Sequence, residues 1–346
     1  MSKTRVLIVD DSALVRGLLT QIVNSDPAFE VVGTASDPYE AWRKIKSLEP
    51  DVLTLDVEMP RMDGITFLER LMHLHPMRVL MVSSLTERGC ATTLRALEFG
   101  AVDFVAKPKV DLESGVRSLS GEFLQKLHVT SRAQVRGTRR ADVSGKVHGT
   151  KPKAMLKTTL KLVAIGASTG GTEALKDVLC LLPPDSPPIV VVQHMPPGFT
   201  STFAARLNDL CAVRVKEAVD GDRLMSGHVL IAPGDFHIAL TRSGAVYGVR
   251  VLSAERVNRH RPSVDVLFDS FADHAGSNAI GVILTGMGDD GARGLKKMKD
   301  HGASTIAQDE STCVVFGMPR EAIALGAADR IVPIGQVASN ILELCG

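Results

Sequence analysis

Residues 160–175 read LKLVAIGASTGGTEAL: an apolar run leads into a glycine-rich turn, and the turn opens a segment with helical character. A strand, a tight turn and a helix in immediate succession are the building block of α/β folds with parallel sheets. The turn itself permits two functions. It can bind a phosphate on the free backbone N–H groups at the start of the helix, or it can expose Ser168 as a nucleophile.

The same alternation continues through the second half of the chain. Further apolar runs of strand length occupy residues 189–194, 228–233 and 280–285, with longer amphipathic stretches between them. Around Ser243 and Gly244 polar and apolar residues alternate, which is typical of a β-hairpin. The pattern predicts a larger, Rossmann-like α/β domain over residues 159–346, with an antiparallel hairpin inserted.

The first half also alternates short β-branched runs with segments of helical spacing. These runs lie at residues 5–10, 31–35, 51–56, 79–84 and 103–108. Continuous apolar strands separated by helices indicate a parallel sheet that is covered on both faces. We therefore expect a doubly wound, flavodoxin-like domain over residues 1–130.

Residues 131–158 differ from both halves because they are rich in Lys, Arg, Gly, Ser and Thr and have no apolar period. They predict a linker, for which two functions are open. A solvated tether is the favoured interpretation, since such charge runs usually keep a hinge in water. A docking strip for an acidic or phospholipid surface is the alternative.

Composition limits the function classes. The formal net charge of +1 and the aromatic content of 4% give no support for nucleic-acid binding. No apolar run approaches the ~18 residues of a spanning helix, so we expect no direct membrane insertion. The five cysteines are scattered without C-x-x-C spacing, and the N-terminus does not resemble a signal peptide. A reducing, cytoplasmic location is the expectation.

Acidic residues and a lysine follow three strands of the first half. Asp10 and Asp11 follow the first strand, Asp56 ends the third, and Lys107 ends the fifth. These groups should converge at the carboxyl edge of a doubly wound sheet. Three carboxylates together favour a hard divalent cation such as Mg²⁺, and a nearby lysine can neutralise a phosphoryl group. The set indicates an acyl phosphate formed on one aspartate.

The glycine turn lacks the features of a nucleotide loop. A Walker loop needs a lysine where this chain has Thr172, and the turn does not fit the G-x-G-x-x-G fingerprint. It does match G-x-S-x-G around Ser168. Small flanking residues allow a tight turn, and the N–H groups after the serine can face a developing oxyanion.

A serine nucleophile needs a base and an orienting acid, and both are available at strand ends. His194 follows an apolar strand, and the acids Asp289 and Asp290 follow another. His260, within NRHRPSVD together with Arg259 and Arg261, is a candidate for lining the substrate cleft. No His, Cys or Glu set has metal-ligand spacing, so we predict no catalytic zinc.

Residues 1 to about 125 resemble a response-regulator receiver domain. The resemblance implies that Asp56 accepts a phosphoryl group and that Lys107 contacts it. It also implies that Mg²⁺ is held by Asp10, Asp11, Asp56 and the Glu58 backbone carbonyl. Ser83 matches the hydroxyl switch of this family and Phe104 matches its aromatic switch. Phosphorylation adds about −1.5 to −2 charges, which can repack the face built on the fourth and fifth strands.

The whole chain resembles the chemotaxis protein-glutamate methylesterase family through GASTGGT, QHMPPGFT, IAPGDFH, NRHRPSVD, LTGMGDDG and FGMPREA. The resemblance implies a triad of Ser168, His194 and Asp290, with Thr169 and Met287 near the reacting carbonyl. Motif alignment favours Asp290 over Asp289. No cofactor is implied for ester hydrolysis.

The implied function is demethylation of glutamate methyl esters on transmembrane chemoreceptors, with glutamine deamidation as a second activity. The implied phosphodonor is a chemotaxis histidine kinase. Two other classes are weighed against it. A DNA-binding response regulator needs a compact helical output domain, whereas residues 159–346 are rich in strands. A non-catalytic, phosphate-dependent interaction module needs no Ser, His and Asp set.

Overall fold

The computed structural model describes residues 3–83, 87–107, 113–135 and 161–345. These residues form two parallel sheets, each flanked by helices, and a separate antiparallel hairpin. The doubly wound α/β class expected from the sequence is confirmed. Among the described helices, none combines the length and the apolar character needed to cross a membrane.

The first sheet has five strands in the order β2-β1-β3-β4-β5, all parallel. This is the flavodoxin-like order, in which β1 and β3 meet where the chain reverses its direction across the sheet. The strands are β1 (Thr4–Val9), β2 (Phe29–Ala35), β3 (Val52–Asp56), β4 (Arg78–Ser83) and β5 (Asp103–Ala106). The helices are α1 (Ala13–Asn24), α2 (Pro38–Leu48), α3 (Gly64–Leu74), α4 (Glu87–Glu98) and α5 (Glu113–Arg132).

The second sheet has seven strands and starts at its centre. The chain enters at β6 (Leu162–Ala167). On one side of β6 it forms β7 (Ile189–Gln193), β8 (Arg214–Glu217) and β9 (His228–Ile231). On the other side it later forms β12 (Ala279–Ile283), β13 (Ser304–Gln308) and β14 (Arg330–Val332). The strand β6 therefore lies at the switch point, where open α/β sheets leave a crevice beyond their carboxyl ends.

The predicted hairpin is present as β10 (His237–Ser243) and β11 (Val246–Leu252). Gly244 occupies its turn with a φ of 61°, a left-handed conformation that glycine adopts readily. The remaining helices are α6 (Gly171–Leu179), α7 (Phe199–Leu210), α8 (Val264–Ala275), α9 (Ala292–Asp300), α10 (Met318–Ala324) and α11 (Ile334–Cys345).

The apolar pattern did not indicate three of these strands: β8, β13 and β14. The edge strands β8 and β14 are short, and most of their residues are not buried. Edge strands of this kind have little apolar signal because they are held by ladder hydrogen bonds rather than by burial. The linker predicted at residues 131–158 lies mostly outside the described residues, with α5 continuing to Arg132, so its limits stay a prediction.

The two sheets are joined by a continuous apolar core. The ring of Phe104, in β5, stacks on that of Phe199, at the start of α7, with 4.4 Å between centroids and 22° between planes. Helix α4 packs on α6 and α7, and Arg206 of α7 makes a bidentate ion pair with Glu98 of α4. The face formed by α4, β5 and α5 therefore rests on the second sheet's domain.

Candidate active site and phosphorylation site

The turn after β6 is shaped by close packing at its glycines. A Cβ on Gly166 would lie 2.2 Å from a methyl of Val264, and one on Gly171 would lie 2.1 Å from the Gln193 side-chain oxygen. Gly170 has a left-handed φ of 76°. Larger residues would displace helix α8 or strand β7, so the motif's glycines make room for neighbouring elements as well as for the serine.

Ser168 follows β6 directly and is held by its backbone. Its N–H donates to the Thr285 carbonyl at 3.0 Å, and its carbonyl accepts from the Gln193 side-chain amide at 2.9 Å. Gly286 leaves the space that the serine occupies, because a Cβ there would lie 2.8 Å from Ser168 Cβ. The sequence motif did not identify Gln193 and Gly286 as supports of this turn.

His194 follows β7, the strand beside β6, and its side chain is only 8% exposed. Its Nε2 lies 2.8 Å from Asp290 Oδ2. Its Nδ1 is buried and has no hydrogen-bond partner among the described residues. Ser168 and His194 line the same cleft. The histidine thus has one nitrogen held by a carboxylate and the other free to accept a proton.

Asp290 is enclosed by the start of helix α8. Its oxygens accept hydrogen bonds from the Ser263 hydroxyl, the Asn258 amide and the backbone N–H of Val264, each at 2.7 Å. Burial opposes its ionisation, but the hydrogen bonds from His194, Asn258 and Val264 hold the pKa of Asp290 below its ordinary value. The side chain is therefore a charged acceptor for His194.

Asp289, the acid next to Asp290 in the sequence, does not contact His194. Asp289 is exposed, and its backbone carbonyl accepts the N–H of Ala292 at the start of α9. Of the two acids that the sequence offered, only Asp290 contacts His194. The geometry favours Asp290 as the orienting acid.

His260 contributes more than the sequence indicated. Its ring stacks on that of His194, with 3.7 Å between centroids and 6° between planes. Burial, followed by the nearby His194, lowers the pKa of His260 to about 3. A neutral ring therefore covers one face of His194. Nothing in the local sequence indicates this stack, since the two histidines are far apart in the chain.

A cleft of about 500 Å³ lies between the two domains, and Ser168, Thr169, His194, His260 and Met287 line it. Its opposite wall comes from β5 and α5 of the first domain, including Phe104 and Lys126. This arrangement places a candidate reaction site at the interface.

Two side-chain contacts between described residues cross this cleft. The Thr169 hydroxyl donates to Asp103 Oδ2 at 2.5 Å, and the Gln125 amide lies 3.9 Å from Met287 Sδ. Thr169 and Met287, the two residues predicted to lie near the substrate, are thus both in contact with residues of the first domain. The first domain covers the Ser168 edge of the second sheet.

The acidic cluster of the first domain forms as the sequence predicted. Carboxylate oxygens of Asp10, Asp11 and Asp56 lie within 4.8 Å of one another. Lys107 Nζ is 2.7 Å from Asp56 Oδ2 and 3.3 Å from Asp10 Oδ2. Burial raises the pKa of Asp56 to about 6 and also raises the pKa of Asp10. Apart from its ion pair with Lys107, Asp10 Oδ2 is buried without a hydrogen bond from any described residue, so this carboxylate set fits a hard cation.

The remaining predicted residues of the receiver lie on β4, on β5 and shortly after β3. Ser83 ends β4 and its hydroxyl accepts from Thr93 of α4 at 2.6 Å. Glu58 is exposed, and its backbone N–H donates to Asp56 Oδ1 at 3.2 Å. Phe104 is buried, with Lys126 Nζ 4.8 Å from its ring centroid. Ser83 lies at the carboxyl end of β4, the strand that pairs with β3 and Asp56, whereas Phe104 lies in the domain interface.

Family models match both domains. The model of the CheB methylesterase matches residues 163–341, and the model of the response regulator receiver domain matches residues 6–117. The chain belongs to the CheB methylesterase family. The resemblance inferred from the motifs is confirmed, and the first domain is a receiver domain.

Relatives of this CheB-family chain share its full length. A protein-glutamate methylesterase/protein-glutamine glutaminase from Bordetella bronchiseptica is 59% identical over 347 residues, covering 100% of this chain and 98% of the relative. One from Cupriavidus pinatubonensis is 57% identical over 341 residues, covering 99% and 96%. The crystal structure of the Thermotoga maritima CheB methylesterase catalytic domain is 45% identical with a TM-score of 0.52, covering 53% of this chain and 98% of that one.

Proposed function

We propose that this chain is a phosphorylation-activated serine hydrolase that removes methyl groups from glutamate methyl esters of chemoreceptors. The observation that carries the proposal is the arrangement of His194. Its Nε2 is bound to the charged Asp290, its buried Nδ1 has no hydrogen-bond partner among the described residues, and the residue lines the same cleft as Ser168. A buried carboxylate, an imidazole and a serine in this order provide general-base activation of the hydroxyl.

In the proposed reaction Ser168 Oγ attacks the carbonyl carbon of the ester while His194 Nδ1 takes the hydroxyl proton. The imidazolium is stabilised by Asp290, and collapse of the tetrahedral intermediate expels methanol with that proton. Water, activated by the same histidine, then releases the glutamate carboxylate and restores Ser168. A glutamine side chain can follow the same route with ammonia as the leaving group, which supports a glutaminase activity.

The oxyanion needs hydrogen-bond donors that do not move during the reaction. The backbone N–H groups of Thr169 and Gly170 follow the nucleophile and precede helix α6, where free N–H groups point outward. One such donor contributes about 3 to 4 kcal/mol to transition-state stabilisation in comparable enzymes. Met287 and Thr169 would border the bound ester group, since both line the cleft.

The receiver domain is proposed to control this site. Asp56 would accept the phosphoryl group from a chemotaxis histidine kinase, with Lys107 contacting it. Mg²⁺, held by Asp10, Asp11, Asp56 and the Glu58 backbone carbonyl, supplies positive charge beside the phosphoryl oxygens when bound. The added negative charge would draw Lys107 and Ser83 towards it and repack the end of β5.

That repacking would reach the active site directly, because β5 carries Asp103 and Phe104. Asp103 accepts the Thr169 hydroxyl, and Phe104 stacks on Phe199. In the unphosphorylated state these contacts keep substrate from the cleft, and their loss would admit it. We propose the same division of the chain as the sequence suggested: receiver over 1–130, linker over 131–158 and catalytic domain over 159–346, working in the cytoplasm on the receptors.

The decisive experiment measures methanol release from membranes that carry methylated receptors, with and without a small-molecule phosphodonor. Ser168→Ala should keep the fold and reduce release to the uncatalysed level, and Asp56→Asn should remove only the phosphodonor effect. A fluorophosphonate probe should label Ser168 in the parent chain. Methanol release by Ser168→Ala near the parent level would show that another residue is the nucleophile.

A further inference from the structure

Two cysteines outside the active site lie side by side. Cys180 caps the C-terminus of α6 and Cys211 caps that of α7, and their Sγ atoms are 3.2 Å apart. Cys180 is exposed and Cys211 is partly buried. Sulfur atoms in a disulfide are about 2.05 Å apart, so the two atoms need to approach by only about 1.2 Å. Side-chain rotation within a staggered well can supply such a shift.

We propose that Cys180 and Cys211 form a reversible disulfide when the cell is exposed to peroxide. The proposal assigns a modification site, independent of ester hydrolysis. Reducing cytoplasm keeps both thiols free under ordinary conditions, and transient disulfides there usually report oxidation. Because Cys180 is the more exposed of the two, its sulfur reacts first with the oxidant. The Cys211 sulfur then attacks the oxidised Cys180 sulfur.

The chemistry balances with hydrogen peroxide as the oxidant. The Cys180 thiolate attacks one peroxide oxygen, the O–O bond breaks, and the departing hydroxide leaves as water after taking a proton; Cys180 becomes a sulfenic acid. The Cys211 sulfur then attacks the Cys180 sulfur, the S–O bond breaks, and a second water leaves with the Cys211 proton. Two thiols lose two electrons and one peroxide is reduced to two waters.

The location of the pair decides its effect. Helices α6 and α7 begin at the two active-site turns, after Ser168 and His194, and the cysteines cap their opposite ends. At 1.5 Å per residue those ends are about 13 and 18 Å away from the turns. The bond would therefore leave the catalytic groups in place. It would fix the two helices that receive α4 of the receiver, and it would close a chain segment that contains β7 and His194.

The test uses the full-length reduced protein. After treatment with hydrogen peroxide and alkylation of remaining thiols, non-reducing digestion and mass spectrometry should detect a peptide pair linked through Cys180 and Cys211, which dithiothreitol separates. Closing this loop should raise the thermal midpoint of the catalytic domain by about 5 to 10 °C. Fluorophosphonate labelling of Ser168 should not change.

Cys180→Ser and Cys211→Ser should each abolish the linked peptide and the rise in midpoint, whereas Cys345→Ser, at a partly exposed thiol on α11, should preserve both. The serine variants should match the parent midpoint under reducing conditions, which shows that they fold. Conversion of Cys180 to sulfinic acid without a link to Cys211 would overturn the proposal. A predominant link between two chains, or one through Cys345, would also overturn it.

Discussion

At the scale of single residues, the two neighbouring acids of the GMGDDG loop have different surroundings. Asp290 is 1% exposed and accepts hydrogen bonds from His194 and the start of α8, whereas Asp289 is exposed. A charge enclosed in this way orients the imidazole and stabilises its protonated form. The adjacent pair offers a matched comparison.

We expect Asp290→Asn to lower kcat for methanol release by about 10⁴, as the loss of the orienting charge does in comparable triads. The amide introduced at position 290 has no negative charge with which to accept the hydrogen bond from His194. Its NH₂ group would also face hydrogen-bond donors such as the Val264 N–H. Asp289→Asn should stay within about twofold of the parent chain because its side chain is solvated. Equal losses in both variants would show that the loop, rather than the Asp290 charge, matters.

The stacked pair of histidines predicts a pH dependence of stability. The pKa of His260 is about 3 in the folded chain, against an ordinary value near 6.5. Between these values the unfolded chain binds the additional proton, so His260 makes stability rise with pH and fall as the solution is acidified. Above pH 6.5 His260 is neutral in both the folded and the unfolded chain, so it no longer lowers the free energy of unfolding.

His260→Phe keeps a neutral ring on His194 and removes the titration. Between pH 6.5 and pH 5 the parent chain should lose about 2 kcal/mol of unfolding free energy relative to this variant. Urea unfolding at several pH values measures the difference. An unchanged difference across this range would mean that His260 is not shielded from protonation.

At the scale of elements, the strand-turn-helix unit at residues 162–179 depends on one glycine at its corner. Gly170 is the N-cap of α6 with a φ of 76°, and a Cβ there would lie 2.6 Å from Val314 Cβ. Gly221 has a similar φ of 82°, but apart from its chain neighbours no atom of the described residues lies within 4 Å of a Cβ added there. The two positions separate backbone strain from steric overlap.

We expect Gly221→Ala to cost about 1 to 2 kcal/mol of unfolding free energy, which is the penalty for a left-handed non-glycine residue. Gly170→Ala should cost a further 1 to 3 kcal/mol, because its methyl group overlaps a packed side chain. It should also lower methanol release, since the N–H groups of Thr169 and Gly170 would shift. Chemical denaturation gives both free energies, and equal costs would indicate that Val314 moves away without penalty.

Strands with long apolar runs were predictable from the sequence, whereas the short, polar edge strand β8 was not. The runs at β1, β6, β7 and β12 are buried throughout or nearly so, and burial on both faces is what produces a continuous apolar pattern. β8 carries Arg214, Lys216 and Glu217 with only Val215 buried. Its pairing with β9 depends on backbone groups that every sequence shares, so no side-chain pattern indicates it.

At the scale of the whole molecule, the interface between the receiver and the catalytic domain combines apolar packing with an ion pair. Glu98 of α4 and Arg206 of α7 form a bidentate contact, and both side chains are partly buried. Charge-assisted bidentate pairs are stronger than ordinary hydrogen bonds. Neither Glu98 nor Arg206 lines the cleft that contains Ser168, so changing this pair should alter docking rather than chemistry.

Glu98→Ala should weaken docking of the receiver by about 1 to 3 kcal/mol and raise the unphosphorylated methylesterase activity several-fold. The matched control is Glu30→Ala, which removes a solvent-exposed partner of Arg5 elsewhere on the receiver. This variant should leave the unphosphorylated methylesterase activity unchanged. Methanol release without phosphodonor measures both. Lower basal activity in Glu98→Ala would argue that the receiver assists catalysis instead of covering the site.

The local sequence pattern was sufficient to predict the two α/β domains and the acids and lysine at the receiver's strand ends. It was also sufficient to identify Ser168, His194 and Asp290 as candidates. The reason is that residues following parallel strands share one edge of a sheet, so their order along the chain predicts their proximity. The preference for Asp290 over Asp289 came from motif alignment, without knowledge of its contacts.

Only the tertiary structure decided how these parts work together. It placed the His260 ring on His194, left Nδ1 of His194 without a hydrogen bond to any described residue, brought Asp103 to Thr169 and set the thiols of Cys180 and Cys211 in contact. Each of these is a meeting of side chains from separate elements, determined by how the helices and domains pack. Strand and helix periodicity describes which face is buried, but it does not specify which partner lies on that face.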